Sequence, residues 1–116
     1  MTPNRSGQPS ARAERFAPVF AALGDATRLQ IVTRLRNEGP LSIVRLTEET
    51  HVSRQAVTKH LRTLESADLV HGERAGRERV WKLRQRRLDE LRRYVDEISA
   101  QWDQAIDRLR SFVEKP

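Results

Sequence analysis

The stretch HVSRQAVTKHLRTLESADLV, residues 51–70, predicts one helix with two chemically different faces. Ser53 is a good N-cap for this helix, because its hydroxyl oxygen can accept a hydrogen bond from a backbone amide of the first turn. Three apolar residues then recur at i, i+4 and i+7, namely Val57, Leu61 and Leu64. That spacing places them on one side of the helix, so this side is expected to face a core.

The opposite side of the helix carries hydrogen-bond donors at three levels and no acidic residue. Its members follow i, i+3, i+4 and i+7: Gln55, Thr58, Lys59 and Arg62. Glutamine can pair with adenine through two hydrogen bonds in the major groove of DNA, whereas Lys and Arg reach guanine or phosphate. An ordinary solvated amphipathic helix would look the same, so the flanking sequence has to decide between the two interpretations.

The charge of the chain is concentrated around this helix. The net charge is +6, and residues 51–87 hold ten Lys and Arg against four Asp and Glu. A localised basic surface is typical of a protein that binds a polyanion. Arg outnumbers Lys 19 to 3, a choice that a compositional habit of the genome explains, but such a habit does not explain the concentration in one segment. At 116 residues we expect one domain with a modest core.

The chain has no Cys, which excludes disulfides, thiolate metal sites and cysteine redox chemistry. No apolar run approaches the roughly 18 residues of a membrane span, and the N-terminus lacks the apolar segment of a signal peptide. We therefore expect a soluble, cytoplasmic protein without a membrane partner.

Three helices are expected before residue 51. Residues 1–12 are rich in Pro, Ser, Gly and Asn, which predicts a disordered tail. A first helix should then begin late, with Pro18 in its first turn. The apolar face of that helix comprises Phe16, Phe20 and Leu23. Gly24 and Asp25 fit a helix stop followed by an N-cap.

A second helix is predicted over residues 26–37, ended by Gly39-Pro40. Its expected core residues are Leu29, Ile31, Val32 and Leu35. Ser42 can cap a short third helix over residues 43–50, with Ile43 and Leu46 facing inward. A short turn at residues 51–52 then leads to the helix capped by Ser53, and two helices joined in this way form a helix-turn-helix.

The apolar pattern after Asp68 changes to that of β-strands. Residues 69–73 and 79–83 predict two strands around a tip at residues 74–78, where Gly76 supplies a permissive backbone. A basic hairpin directly after such a helix is the layout of a winged helix, in which arginines can reach phosphates or a minor groove. Those arginines are Arg74, Arg77 and Arg79. The alternative is a solvated hairpin whose charges only protect an edge strand from aggregation.

The last third of the chain predicts one long helix over residues 86–114. Its apolar residues recur every three or four positions: Leu88, Leu91, Val95, Ile98, Trp102, Ile106, Leu109 and Val113. Such a helix would extend about 43 Å, longer than a core of this size can cover, so part of the stripe would face water in a monomer. A second copy, helped by the first helix, would cover it. The alternative is a helix folded back wholly on its own core.

Three segments in this order resemble motifs of the ArsR/SmtB family of bacterial winged-helix repressors. FAALGDATRLQIV, residues 20–32, is similar to the signature ALxDxTRxxIL, and residues 53–70 are similar to the recognition segment SxxxVSxHLxxLxxAGLV. GRERVWKL, residues 76–83, is similar to the wing motif GRxxxYxL. The resemblance covers residues 16–114. Asp68 stands where the family usually has Gly, and Thr58 and Trp81 stand where Ser and Tyr are usual.

The resemblance implies a mainly α fold with a small β-hairpin: a winged helix-turn-helix domain over residues 13–85, followed by a dimerisation helix over residues 86–116. It implies a homodimeric repressor of its own operon that binds a pseudo-palindromic operator in double-stranded DNA. Helix 53–67 would lie in the major groove, and wing 69–83 would contact the backbone or the minor groove. The matching base-reading positions are Arg54, Gln55, Thr58 and Lys59. The DNA-backbone positions are Ser53, His60, Arg62, Arg74, Arg77 and Arg79. The dimer-interface positions are Phe16, Phe20, Leu91, Val95, Ile98, Trp102, Ile106, Leu109 and Val113.

The family's metal-sensing sites do not carry over. They use Cys in the helix before the turn, or a His- and Asp-rich site on the last helix, and this chain has no Cys and no His in that helix. Transition metals favour imidazole or thiolate ligands, so we expect no metal, no cofactor and an inducer that the sequence does not identify. His60 lies toward the apolar side of its helix, which favours a packing or phosphate-contacting role over ligand binding.

Two other functions compete with a sequence-specific regulator. A non-specific architectural DNA-binding protein would need only cations on the polar stripe, whereas Gln55 and Thr58 favour base reading. A protein-interaction module that has lost DNA binding is disfavoured by the basic central segment. Enzymatic activity is not expected, because three separated His, no Cys and no phosphate-binding loop form no recognisable catalytic constellation.

Overall fold

The computed structural model describes residues 10–114. Within them the elements follow the order α1 Ala11–Leu23, α2 Ala26–Glu38, β1 Leu41–Ser42, α3 Ile43–Glu48, α4 Arg54–Ser66, β2 Val70–Ala75, β3 Glu78–Leu83 and α5 Gln85–Glu114. The strands form an antiparallel sheet in the order β1-β3-β2. This is the predicted winged helix-turn-helix with a long last helix, and the chain divides into two compact units after Gln85.

Helix α1 begins earlier than the sequence predicts. Ser10 caps it, since its hydroxyl oxygen accepts a hydrogen bond from the Ala13 amide at 3.0 Å. Pro18 therefore lies inside the helix rather than in its first turn, and the expectation of a tail through residue 12 was wrong at residues 11 and 12; residues 1–9 lie outside the described part. An internal proline costs about 3 kcal/mol. Burial of Phe16 and Val19, at about 1.5–3 kcal/mol each, offsets that cost.

The core of the first unit contains the predicted apolar face of α4. Val57, Leu61 and Leu64 are all fully buried, as are Ile31 of α2 and Leu46 of α3. Helix α3 ends two residues earlier than expected, and its Ile43 is half-buried.

Helix α2 buries a narrower face than the sequence predicts. Ile31 and Leu35 are buried, but Val32 is half-buried and Leu29 is 48% exposed. Leu29 lies about 160° around the helix axis from Ile31, so one buried side cannot include both. The expectation that Leu29 belongs to the core was wrong.

The wing is longer and its tip tighter than predicted. The pairs Arg74↔Arg79 and Ala75↔Glu78 extend the ladder, which leaves a two-residue turn at Gly76 and Arg77 instead of a tip over 74–78. Gly76 has φ 63°, as the first position of a II′-type hairpin turn requires. The third strand was not expected: Leu41–Ser42 pairs with β3, and two residues are too few to show a period.

Asp68 forms the junction between α4 and the wing in a left-handed conformation, with φ 62°. Its amide donates to the Glu65 carbonyl at 2.9 Å, and the Leu69 amide donates to the Leu64 carbonyl at 3.0 Å. These two bonds define a Schellman cap, and the buried Leu64 and Leu69 supply its apolar contact. The usual glycine at this position is therefore replaced without loss of the cap.

Helix α5, which alone makes up most of the second unit, spans 30 residues, or about 45 Å. Leu91 is buried and Ile98 is half-buried, but the exposed fraction reaches 65% at Trp102 and 72% at Val113. The expectation that part of the stripe faces water in a single copy is confirmed, and Phe112, at 79% exposed, extends it. No helix among the described residues is both long and apolar enough to span a membrane.

Candidate nucleic-acid interface

Helix α4 has the N-terminal cap that the sequence predicts. The Ser53 hydroxyl oxygen accepts a hydrogen bond from the Ala56 amide at 3.1 Å. Because this bond uses an oxygen lone pair, the hydroxyl hydrogen can still donate to an external acceptor such as a phosphate.

The polar face of α4 presents four exposed side chains, Arg54, Gln55, Lys59 and Arg62. Thr58, between them, is half-buried, and its hydroxyl donates to the Arg54 carbonyl at 2.9 Å. That bond consumes the hydroxyl hydrogen, so Thr58 offers a partner only an oxygen acceptor and a methyl group. The structure thus refines the chemistry available at one predicted base-reading position.

The polar face of α4 and the wing border one groove. It is lined by Arg54, Thr58 and Arg62 of α4 and by Arg77, Arg79 and Trp81 of the hairpin. The groove also includes Val44 of α3, which is 47% exposed, and Glu78 of β3. Neither residue was predicted as part of the site, because nothing in the local pattern of α3 or of the hairpin places it against α4.

Arg79 lies flat across the wing rather than extending freely from it. Its guanidinium carbon is 5.1 Å from the Trp81 ring centroid, and its Nη2 is 3.9 Å from Oε2 of Glu65. The same guanidinium covers Gly72, where a Cβ atom would collide with Arg79 Nε. The side chain is still 59% exposed, so Gly72 and Trp81 orient a cation that remains accessible. Gly72 was not predicted as part of the site, because a glycine within a strand does not by itself indicate which side chain covers it.

The other wing charges divide into paired and outward-facing groups. Lys82 and His71 both contact Glu73 at 2.9 Å. Hydrogen bonds from Lys82 and then His71 hold the pKa of the Glu73 carboxyl below its usual value. Arg74 and Arg77 are exposed at the end of the hairpin, where they line a cleft with Gly72, Glu78 and Arg79.

His60 is held between helices within the first unit. Its Nδ1 is 3.2 Å from Arg28 Nη1 and 3.9 Å from Asp25 Oδ2, and the side chain is 21% exposed. Asp25 is the predicted N-cap of α2 and accepts a hydrogen bond from the Arg28 amide at 3.0 Å. That bond, aided by the positive charge of Arg28, lowers the pKa of the Asp25 carboxyl.

The residues expected at a dimer interface differ in their exposure. Phe16 is 1% exposed and lies in the core of a single copy, so a partner could not contact it, whereas Phe20 is 41% exposed. On α5 the exposed members are Val95, Trp102, Ile106, Leu109 and Val113. Among the residues that the structure describes, no three His, Cys, Asp or Glu side chains are arranged to hold a metal ion.

Known proteins match this chain over most of its length. A model of the helix-turn-helix domain matches residues 23–73. The HTH-type transcriptional regulator Rv2034 of Mycobacterium tuberculosis is 41% identical over 95 residues, which are 82% of this chain and 85% of that protein. The regulator NmtR of the same organism is 42% identical over 82 residues, covering 69% and 68%. The solved structure of an ArsR-like transcriptional regulator from Rhodococcus sp. RHA1 has a TM-score of 0.79 at 33% identity, covering 92% and 100%.

Proposed function

Because the chain belongs to the ArsR/SmtB family of winged helix-turn-helix transcriptional regulators, DNA-binding proteins that are not enzymes, we propose that it is a homodimeric, sequence-specific repressor. In this proposal α4 enters the major groove of a pseudo-palindromic operator in double-stranded DNA. The wing then contacts the DNA backbone or the adjacent minor groove, and the operator lies in the protein's own operon. No inducer is assigned.

The observation that carries the proposal is the chemistry of the exposed face of α4. Arg54, Gln55 and Lys59 project from the first two turns, and the face contains no acidic side chain. Arg and Lys can bond the O6 and N7 atoms of guanine, and Gln can bond the N6 and N7 atoms of adenine. The Thr58 methyl group suits a thymine methyl, since its hydroxyl hydrogen is already used. A binder that recognised only charge would not need Gln55 or Thr58.

Phosphate contacts are assigned to the rim of the same groove. Arg62 continues the polar face of α4, and Arg77 and Arg79 border the groove from the wing. Arg74 and the free hydroxyl hydrogen of Ser53 are further candidates, whereas His60 is assigned no phosphate contact, because its Nδ1 already faces Arg28. Such contacts set the position of the protein on the duplex and contribute no direct base reading.

The dimer is proposed from the apolar side chains that a single copy leaves in water. Trp102, Leu109 and Val113 are each more than 60% exposed on one helix, and Phe20 adds an exposed aromatic ring on α1. A second copy that covers this stripe through a two-fold axis would bury it on both protomers. Two-fold symmetry in turn predicts half-sites about 34–36 Å apart, one turn of DNA.

Binding to DNA selected from a random-sequence duplex library tests the proposal. Fluorescence anisotropy would compare the enriched duplex, the DNA upstream of the gene and a scrambled duplex across a salt series. A preference of about a thousandfold or more at physiological salt is expected of a specific regulator. Equal affinities with equal salt slopes would refute base reading and indicate an architectural DNA-binding protein.

A further inference from the structure

Arg28 connects three helices of the first unit. It lies in the first turn of α2, and its Nε donates to the Ala22 carbonyl of α1 at 2.6 Å. Its Nη2 donates to the Ala21 carbonyl at 3.5 Å, and its Nη1 faces Nδ1 of His60 on α4 at 3.2 Å. One side chain therefore joins the last turn of α1 and the start of α2 to the middle of the DNA-reading helix.

The protonation of His60 follows from the chemistry of its partner. A guanidinium has five N–H donors and no acceptor, so the His60 Nδ1 must be the acceptor of this bond. The imidazole is then neutral, with its hydrogen on Nε2. Asp25 stands close to both groups, since its Oδ2 accepts the Arg28 amide at 3.0 Å and lies 3.9 Å from Nδ1 of His60. Its carboxylate balances the guanidinium charge and fixes the turn from which Arg28 projects.

We propose that Arg28 and His60 are positioning residues for base reading, which rests on the proposed function. Val57, Leu61 and Leu64 anchor α4 by burial, but apolar contact is non-directional and tolerates a small rotation of the helix. A rotation of 10° moves a side chain about 6 Å from the helix axis by about 1 Å. Bidentate bonds to a base tolerate only about half of that displacement. The hydrogen bond from Arg28 to His60, one residue from the exposed Lys59, sets this rotation.

Two substitutions of His60 separate the positioning role from a direct DNA contact. The amide oxygen of Asn lies near the position of imidazole Nδ1, whereas the longer Gln places its amide near Nε2. His60→Asn therefore keeps an acceptor for Arg28, and His60→Gln removes it while keeping a polar group at the outer end. Both variants have nearly the same polarity and neither carries a charge, so each is the matched control of the other.

Affinity for the selected duplex and for the scrambled duplex would be measured at several salt concentrations, on protein whose active fraction is titrated. For His60→Gln the preference for the selected duplex is expected to fall about tenfold, the size of one lost base contact. Its scrambled-DNA affinity and salt slope should stay unchanged, and His60→Asn should retain the preference within about twofold. A purely structural role would change the active fraction or melting temperature and leave the preference intact, which would overturn the proposal.

Other outcomes have equally definite meanings. If His60→Asn is impaired and His60→Gln is not, Nε2 of His60 contacts phosphate and the positioning role is wrong. If both DNAs weaken equally and the salt slope flattens by about one unit, His60 contacts phosphate as a cation, and the positioning role is again wrong. Failure to enrich any duplex would refute the proposed function itself. An enriched duplex with an unchanged preference in His60→Gln would refute the positioning role alone.

The hydrogen bond from Arg28 to His60 can also be tested by NMR spectroscopy without DNA. At pH about 8, where an ordinary imidazole is neutral, ¹⁵N chemical shifts of the free protein should show that Nε2 of His60 is protonated and that Nδ1 is unprotonated. In Arg28→Ala the Nδ1 shift should move, because its donor is gone. A proton on Nδ1 in the unsubstituted protein would overturn the proposal whatever the DNA measurements give.

Discussion

The left-handed residue between α4 and the wing gives a quantitative test of how the two are joined. Asp68 has a φ angle of 62°. Among the described residues it is the one residue other than glycine whose φ is positive. Its side chain accepts from Arg84 Nε at 2.9 Å, but both side chains are about half exposed or more. We predict that Asp68→Gly is close to neutral in stability and that Asp68→Ala is less stable than Asp68→Gly.

The magnitudes follow from three contributions. Both substitutions lose the same exposed ion pair, worth about 0–1 kcal/mol. A left-handed residue with a Cβ costs about 1–2 kcal/mol, a cost that Gly removes and Ala keeps. Gly also makes the unfolded chain more flexible, which opposes folding by about 0.4–1 kcal/mol relative to Ala. The difference between the variants should therefore be about 1 kcal/mol in favour of Gly.

Urea and thermal unfolding followed by circular dichroism would measure this difference, at one fixed protein concentration because the stability of the proposed dimer would depend on concentration. About 1 kcal/mol corresponds to a melting temperature roughly 4 °C higher for Asp68→Gly than for Asp68→Ala. An Ala variant as stable as the Gly variant would show that the Schellman cap through Leu64 and Glu65 carries no Cβ strain, and the reasoning would fail.

Three further predictions concern DNA binding and assembly. Gln55→Ala should weaken binding to the selected duplex by about tenfold more than binding to scrambled DNA in anisotropy titrations; an equal loss on both would contradict base reading. Arg77→Ala should weaken both duplexes about equally and flatten the salt slope by about one unit, and an unchanged slope would mean that the wing tip does not contact phosphate. Trp102→Glu should raise the dimer dissociation constant at least about tenfold in sedimentation velocity, because it places a charge in the apolar stripe. The neighbouring exposed Gln101→Glu adds the same charge as a control and should have little effect; a Trp102 variant that dimerises normally would exclude this stripe as the interface.

Local sequence patterns predicted the helix that carries the candidate site almost to the residue. The cap at Ser53 and the buried series Val57, Leu61 and Leu64 follow from short-range rules, which need no knowledge of the partner surface. The hairpin was found for the same reason, since Gly76 and the alternation around it are local features. The exposure of Trp102 followed from length alone, because a helix of this length exceeds the span of a small core.

Errors arose where a non-local contact outweighed a local preference. Pro18 is a poor interior helix residue, yet burial of its neighbours keeps α1 continuous. Leu29 is apolar but is 48% exposed, because it lies about 160° around α2 from the buried Ile31, and Phe16 faces the protomer's own core. The strand β1 exists only because β3 offers it a ladder.

The amino-acid sequence by itself determined the type and order of the elements other than β1, the polar face of α4 and the place of the basic charge. These features depend on the spacing of residues along one element, because the geometry of a helix or a strand fixes which side chains lie on the same face. Only the tertiary structure decided what those side chains can do. It laid Arg79 over Trp81 and Gly72, and it brought Arg28 to His60 across 32 residues of chain. Such contacts depend on how separate elements pack, and no periodicity within a single element records them.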